Sequence, residues 1–474
     1  MFFNVIFIVQ SQVNIMYDII IIGAGTAGIS AYKEAIKHTN NILIINNGAW
    51  DTTCARVGCM PSKILISTAN RMYDIQHSDE VALNTKAEID TSQVMPYLRK
   101  LRDRFTQATL KDVESWNSSH KISGLAKFIN NNTVKVNDQL YSAKSFIIAV
   151  GSTPNYESAW KQEIGHKLIT SDEIFELPTL PESIAVIGSG VIAIELAQAL
   201  QRLGVKTTVF ARSRKVGALS SPQLQKLAQV EISKELNIKF EILPKSIQNT
   251  KNDVNINFIE NNELRQINVE YILSTTGRQS NITSLNLEKI DPLFSDLKKL
   301  PIDNRTKQLA NFPIFIIGDA FTQTPLQHEA ANEGKLVISS CLNFPKMTHL
   351  NNLTTLSIVF SDPEMALIGQ SYSSLTKLNT EFIIGYASFE KQGRALVLGK
   401  NKGAAEIYVD KKTRKILGAE LFMHSAEHIA HLLAWMISEE KTIDEILEKP
   451  FYHPTLEEGL RTALKYARRQ LDVN

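Results

Sequence analysis

The chain has 474 residues, 43% of them hydrophobic and 21% charged, with a formal net charge of +2. That length exceeds what one core organises, so two or three domains are expected. The near-neutral balance, without basic or acidic blocks, argues against a nucleic-acid binder and against a solvated charged arm.

The opening "MFFNVIFIVQSQVNIM" is apolar but short. It lacks the basic region and small-residue cleavage site of a signal peptide, and it is too interrupted to span a membrane. It reads as a loose extension, or as sequence ahead of a true start at Met16. No other stretch has transmembrane character. "YDIIIIGAGTAGISAYKEAIK" follows. The continuous apolar run at residues 19–22 predicts a parallel strand covered on both faces. Gly23, Gly25 and Gly28 fit G-x-G-x-x-G at a strand-to-helix junction. There the first glycine permits the turn, the second admits a pyrophosphate and the third lets the helix pack closely. The helix N-terminus adds N–H donors and partial positive charge.

Only three cysteines occur: Cys54, Cys59 and Cys341. A secreted scaffold would carry more, so a reducing, cytoplasmic setting is expected, where a close pair is catalytic or metal-binding rather than structural. Five residues of regular helix rise about 7.5 Å, and a disulfide wants Cα atoms closer than roughly 7 Å. A bond between Cys54 and Cys59 therefore requires an irregular turn, which Gly58 and Pro61 allow. Pro61 suits the first turn of a helix "PSKILISTANRMYDI". The helix dipole, Arg56 and Lys63 would then lower a thiol pKa. Metal binding is the rival reading, but no second soft-ligand cluster accompanies the pair. Cys341 reads as a small buried hydrophobe.

"SFIIAVGSTP" (residues 145–154) is a strand ending in a turn. "SIAVIGSGVIAIELAQALQRLGVKTTVFAR" then repeats the nucleotide pattern. Gly188 and Gly190 take its first two places, and Ala193 takes the third. Two such units imply two dinucleotide sites. "NFPIFIIGDA" places Asp319 just past a buried strand, either on a ligand or as the N-cap of the next helix. From about residue 350 the alternating segments predict an antiparallel sheet. Two helices follow, with Ser425 and Thr442 as candidate caps. In "PFYHPTLEEGL", His453 precedes a proline and Glu458 follows five positions later. A carboxylate on one ring nitrogen would fix the tautomer and raise the basicity of the other.

With these motifs assembled, the chain resembles the class I pyridine nucleotide–disulfide oxidoreductases. It is most similar to the dihydrolipoyl dehydrogenases and their bacterial paralogues. "IIGAGTAG", "TTCARVGCMPSK", "IGSGVIAIELAQAL", "STTGR", "IIGDA" with "LQHEAANEG", and "FYHPTLEEGL" occur in the family's order. The resemblance implies an α/β protein with two Rossmann-like dinucleotide-binding domains and a C-terminal α+β dimerisation domain. The expected boundaries are 17–153 and 284–349 for the two parts of the FAD domain, 154–283 for the NAD(P) domain and 350–474 for dimerisation.

The resemblance also implies roles. Gly23, Gly25 and Gly28 would cradle the FAD pyrophosphate, with Asn46 and Thr53 nearby. Ala126 and Gly151 would line the adenine and flavin sides, and Asp319 would bind the ribityl chain. Lys63 would pair with Glu195 near the flavin ring. Gly188, Gly190 and Gly277 would hold the nicotinamide nucleotide. Cys59 would be the thiolate beside the flavin, and Cys54 the thiol exchanging with a small dithiol, a disulfide or a lipoyl-bearing protein. His453, oriented by Glu458, would be the acid–base, supplied across a homodimer.

Some residues depart from the family pattern. Asn46 stands where an acid should meet the adenosine ribose, and Asp51 stands where glycine is usual. After "KTTVF" the chain has Ala211 and Arg212, with Arg214 and Lys215 close by, rather than an acid. Arginine there accommodates a 2′-phosphate, so NADP(H) is expected over NAD(H). "FYHPT" also lacks the extra histidine found two positions before the base in typical dihydrolipoyl dehydrogenases, which points to a paralogue. Two alternatives remain. One is an NADPH-dependent reductase of a small thiol or thiol protein. The other is a degenerate, non-catalytic binding subunit, which Asn46 and Asp51 motivate and the intact Cys54, Cys59, His453 and Glu458 oppose.

Overall fold

Four consecutive isoleucines, Ile19 to Ile22, are each at most 3% exposed, and they form the middle of the first sheet. The computed structural model describes residues 16–321, 325–351 and 353–473. The reading of the N-terminal extension therefore lies outside the described residues, apart from Met16. In chain order the elements used below are β1 (Met16–Ile22), α1 (Thr26–Ala35), β2 (Ile42–Asn46), α2 (Thr53–Arg56), α3 (Cys59–Gln76), β3 (Gln139–Ile148), β4 (Ser183–Ile187), α4 (Val191–Arg202), β5 (Lys206–Ala211), α5 (Pro222–Ser233), β6 (Tyr271–Ser274), β7 (Ile314–Ile316), α6 (Gln327–Asn343), β8 (Glu364–Gly369), β9 (Gly403–Asp410), β10 (Ile416–Met423), α7 (Ala426–Ser438), α8 (Ile443–Leu447) and α9 (Glu457–Val473).

The chain forms two compact units. Among the described residues the first comprises 16–54, 106–153, 279–321 and 325–351, and the second 55–105, 154–278 and 353–473. In the first, β1 lies between β2 and β3, parallel to both, and β7 adds in parallel beyond β3. Two antiparallel strands, Thr133–Val136 and Lys127–Asn130, extend the edge. Ile19 and Ile21 face a core shared with Ala27 and Tyr32 of α1 and Val337 of α6. Ile20 and Ile22 face the opposite core with Phe128 and Phe146. Burial on both faces is why these strands read as unbroken apolar runs.

The second unit holds a parallel sheet in which β4 lies between β5 and β6. Ile64 and Leu65 of α3 and Leu196 and Leu200 of α4 share a core with Val186 of β4. The unit also holds an antiparallel sheet ordered Leu356–Val359, β8, β10, β9, Phe382–Ser388. Ile429 and Leu433 of α7 and Leu460 and Leu464 of α9 pack on it.

Three local expectations need adjustment. α3 begins at Cys59 rather than at Pro61. Proline is tolerated there because first-turn N–H groups have no intrahelical partner. Asp319 is not the N-cap of the next α-helix. It sits in a short 3-10 turn, Gly318–Ala320, and α6 starts later with Leu326 at its cap. Thr442 caps α8 through a full capping box. Ser425 occupies the cap position of α7 in a left-handed conformation, but its side chain makes no capping bond. Glu364 does that work instead, accepting from the Glu427 N–H at 2.8 Å.

Candidate active site

The two glycine turns are built alike. Gly23 has φ +107°, and a Cβ there would stand 2.3 Å from the Ala149 carbonyl oxygen. A Cβ on Gly28 would stand 1.9 Å from the Gly23 carbonyl oxygen. Gly25 is the opposite case: nothing lies within 4 Å of where its Cβ would be, and α1 starts there with no side-chain cap. In the second unit Gly188 has φ +124° and would clash with Thr275, whereas Gly190 is open and heads α4 with no side-chain cap. Each turn thus offers an open cradle at an uncapped helix N-terminus. That is the space and the polarity a pyrophosphate requires, so a dinucleotide fits both.

Of the remaining residues expected around the first nucleotide, Asn46, Gly151 and Asp319 lie at or just past the ends of strands. Asn46, the last residue of β2, accepts from Ala24 N–H at 3.0 Å and donates to the Gly48 and Ala49 carbonyls at 3.1 and 2.9 Å. Both amide hydrogens are thereby used, while Oδ1 keeps a second lone pair. Asp51 is buried, at 7% exposure, and Thr53 is exposed at the start of α2. Ala126 is 2% exposed. Gly151 turns at φ +67°, and its carbonyl accepts from Asn281 N–H. Asp319 follows Gly318, whose N–H donates to Glu333 at 2.7 Å. Lys307 neutralises Glu333 at 2.8 Å.

In the second unit, Gly277 has φ +108°, and its carbonyl accepts from Asn155 N–H at 2.9 Å. Arg212, Arg214 and Lys215 are all exposed just past the end of β5, where Ala211 stands in place of an acid. Arg214 lies 3.3 Å from Glu241 with both side chains exposed, a pair of small energetic weight in water.

Cys54 lies in α2 and Cys59 is the first residue of α3, with Gly58 between the helices at φ −120°, ψ −112°. An irregular turn at Gly58 thus separates the two cysteine-bearing helices. Cys59 is exposed and Cys54 partly so. At the head of an 18-residue helix, Cys59 sits where the helix dipole favours an anion. Lys63 stands one turn on, in the i+4 position. Its ammonium is 2.7 Å from Glu195, which is 5% exposed. Glu195 also accepts from the Ser62 hydroxyl at 3.3 Å and from the Phe360 N–H at 2.9 Å, and Lys63 lies 4.5 Å from the centre of the Phe360 ring. Lys63 is therefore a neutralised, fixed cation. Sequence reading missed Ser62 and Phe360, because a buried glutamate carries no sign of partners well over a hundred residues away. Cys341 is 4% exposed, and burial pushes its thiol well above the ordinary value.

His453 Nδ1 is 3.1 Å from both oxygens of Glu458. Glu458, near the start of α9, also accepts from Thr455 N–H at 3.2 Å. These bonds hold its carboxyl below the ordinary glutamate value, His453 contributing most. A carboxylate only accepts, so Nδ1 carries the hydrogen and Nε2 is left as the basic nitrogen. The imidazole is 80% exposed. Among the described residues no group of three or more histidines, cysteines, aspartates and glutamates could hold a metal ion.

Residues 17–334 match the family model described as pyridine nucleotide-disulphide oxidoreductase, and residues 355–464 match the dimerisation domain of that family. A dihydrolipoyl dehydrogenase of Geobacillus stearothermophilus is 28% identical over 457 residues, covering 95% of this chain and 96% of the relative. A mercuric reductase of Staphylococcus aureus is 26% identical, covering 94% of this chain and 82% of the relative. Among solved structures, LpdA of Mycobacterium tuberculosis superimposes with a TM-score of 0.81 at 20% identity, covering 95% of this chain and 99% of the other. The Cu(II) complex of the HOCl-induced flavoprotein disulfide reductase RclA of Escherichia coli gives 0.77 at 18%, with the same coverage.

Proposed function

Because the chain belongs to the pyridine nucleotide-disulphide oxidoreductase family, we propose that it is an FAD-dependent dithiol–disulfide oxidoreductase of the dihydrolipoyl dehydrogenase type. The observation that carries this reading is the cysteine pair astride the α2–α3 break, with Cys59 heading α3. The tied His453–Glu458 pair supports it.

In this reading Gly23, Gly25 and Gly28 hold the FAD pyrophosphate. Asn46, Thr53, Ala126, Gly151 and Asp319 line the rest of the cofactor, and the Lys63–Glu195 pair stands by its ring. Gly188, Gly190 and Gly277 hold the nicotinamide nucleotide. Arg212 meets a 2′-phosphate, giving a preference for NADP(H). When bound, the flavin supplies two-electron transfer between the nicotinamide and the cysteine pair. In the reducing direction the Cys54 thiolate attacks a substrate disulfide. His453 Nε2, having taken the Cys54 thiol proton, passes it to the first substrate sulfur as the substrate S–S bond breaks. The Cys59 thiolate then attacks Cys54 Sγ, forming the Cys54–Cys59 bond and releasing the second substrate sulfur as a thiolate, which takes its proton from solvent. Two electrons have passed to the substrate, and the nicotinamide nucleotide replaces them. Oxidation of a dithiol runs the same steps backwards. The active form is a homodimer in which His453 and Glu458 of one subunit serve the cysteines of the other. Cysteine usage supports a cytoplasmic setting, and no helix among the described residues is long and apolar enough to cross a membrane.

The test is an anaerobic reductive titration followed by visible absorption, with NADPH and NADH in parallel. The expected result is a flavin spectrum that gains a long-wavelength band after two electrons, reached more readily with NADPH. A protein that stays colourless when FAD is added overturns the reading, and better reduction by NADH overturns the nucleotide preference.

A further inference from the structure

The segment 212–221, between β5 and α5, carries Arg212, Arg214 and Lys215, yet side chains from elsewhere hold much of its backbone. Ser189, inside the glycine turn, donates its hydroxyl to the Lys215 carbonyl at 2.6 Å and accepts from Gly217 N–H at its own carbonyl at 2.8 Å. Gln225 of α5 accepts from Val216 N–H at 3.0 Å and donates to the Val216 and Leu219 carbonyls at 2.9 and 2.7 Å. Gln229 donates to the Arg214 carbonyl at 2.6 Å.

The far end of the segment is fixed from the antiparallel sheet. Glu420 of β10 is 0% exposed. It accepts from Ser220 N–H at 2.7 Å, from Ser221 N–H at 2.9 Å and from the Ser220 hydroxyl. A fourth bond comes from Tyr372 N–H at 3.0 Å. Burying a carboxylate is costly unless donors surround it, and here most of the donors belong to the segment. The position is also favourable electrostatically, because Ser221 caps α5 and the carboxylate lies at that helix's N-terminus. Nearby, a Cβ on Gly217 would stand 2.4 Å from Met365 Sδ of β8, so the segment is pressed against the sheet. Directly opposite Glu420 in the register is Glu406, 1% exposed. Burial pushes its carboxyl up, and it accepts from the Tyr408 hydroxyl at 3.2 Å.

We propose that Glu420 is a positioning residue for the 2′-phosphate end of the nicotinamide nucleotide, acting through Ser220 and Ser221 on the segment that carries Arg212 and Arg214. The proposal rests on the NADP(H) reading above. It makes one buried residue of the antiparallel sheet responsible for where a surface loop of the nucleotide fold presents its guanidinium groups. Arginine–phosphate recognition is geometric, so a small displacement of Arg212 and Arg214 weakens the 2′-phosphate contact first.

The experiment compares wild type, Glu420→Gln and Ser220→Ala as flavin-loaded holoenzymes. Calorimetry gives the affinities for 2′,5′-ADP and 5′-AMP, and steady-state kinetics gives KM and kcat with NADPH. The expected result is that both variants bind 2′,5′-ADP about tenfold more weakly, on the scale of one lost charge-assisted hydrogen bond. KM for NADPH rises in step, while 5′-AMP affinity, kcat and the flavin spectrum stay unchanged. If wild type prefers 2′,5′-ADP but neither variant changes that preference, or both analogues weaken together, the positioning role is overturned and the nucleotide reading stands. If wild type shows no preference for 2′,5′-ADP, the nucleotide reading falls and takes this role with it. Ser220→Ala leaves Glu420 three donors, so it carries the test even if Glu420→Gln fails to fold.

Discussion

His453 keeps one ring nitrogen against Glu458 and turns the rest of its ring to solvent. An amide in place of the carboxylate can donate to Nδ1, which would move the ring hydrogen to Nε2 and leave the wrong tautomer for a base. Glu458→Gln should therefore lower disulfide turnover by roughly 100-fold, within the range of general acid–base contributions. Reduction of the flavin by NADPH, followed by stopped-flow absorption, should be unchanged. Equal slowing of both half-reactions would remove the assigned role. The depressed Glu458 carboxyl fixes a pH sign as well. Its ionised form is favoured above the ordinary glutamate value and is lost only as pH falls through the lower, folded value. Protonation of Glu458 should therefore not set the acidic limb of the pH–rate profile. This pair was legible in the sequence because its members lie five residues apart. Ser62 and Phe360, which hold Glu195, were not, because nothing local marks them.

Elements were legible where their chemistry is local. The two glycine turns, their strands and helices, and the break before α3 follow from residues within one turn of each other. Close approaches between distant elements left no such trace. Gly334 lies within a run that reads simply as helix, yet a Cβ there would stand 2.2 Å from the Ala27 carbonyl oxygen. It lets α6 press against α1, just behind the first nucleotide turn. Gly334→Ala must push the two helices apart, and overpacking of this kind costs about 1–3 kcal/mol. The expected outcome is a lower thermal midpoint for flavin release, read by fluorescence, with 2′,5′-ADP affinity unaffected because the site proposed for that ligand lies in the other unit. An unchanged flavin-release midpoint would mean that the helices can separate without disturbing the turn. Asp319 carries the complementary lesson. A Gly-Asp after a strand is compatible with a cap or a ligand contact, and only the distance to the start of α6 removes the cap.

At the scale of the whole molecule, motif order was enough to anticipate two nucleotide folds followed by an antiparallel sheet domain, since each motif names its own fold. The buried polar groups that stabilise the assembled second unit were illegible, because charge in a sequence reads as surface. Glu364 is the clearest case and adds a pH dependence to stability. Its carboxyl caps α7 through Glu427 N–H, but burial, aided by the nearby Glu427 and Asp362 charges, pushes it up to about 7. A carboxyl raised in the folded state stabilises fully below its unfolded value, near 4.5. That contribution is lost as pH rises through about 7. The shift corresponds to a loss on the order of 3 kcal/mol. Thermal unfolding should therefore show wild type losing stability between mildly acidic and mildly alkaline pH. Glu364→Gln, which keeps an acceptor for α7 but cannot ionise, should lack that part of the loss and exceed wild type on the alkaline side. His424, whose ring is pushed below its ordinary value by burial, works in the opposite direction at acid pH. It is present in both proteins, so the difference between the two unfolding curves isolates Glu364. Parallel curves across that range would mean that the carboxyl stays ionised in the folded protein, its charge satisfied by the helix it caps.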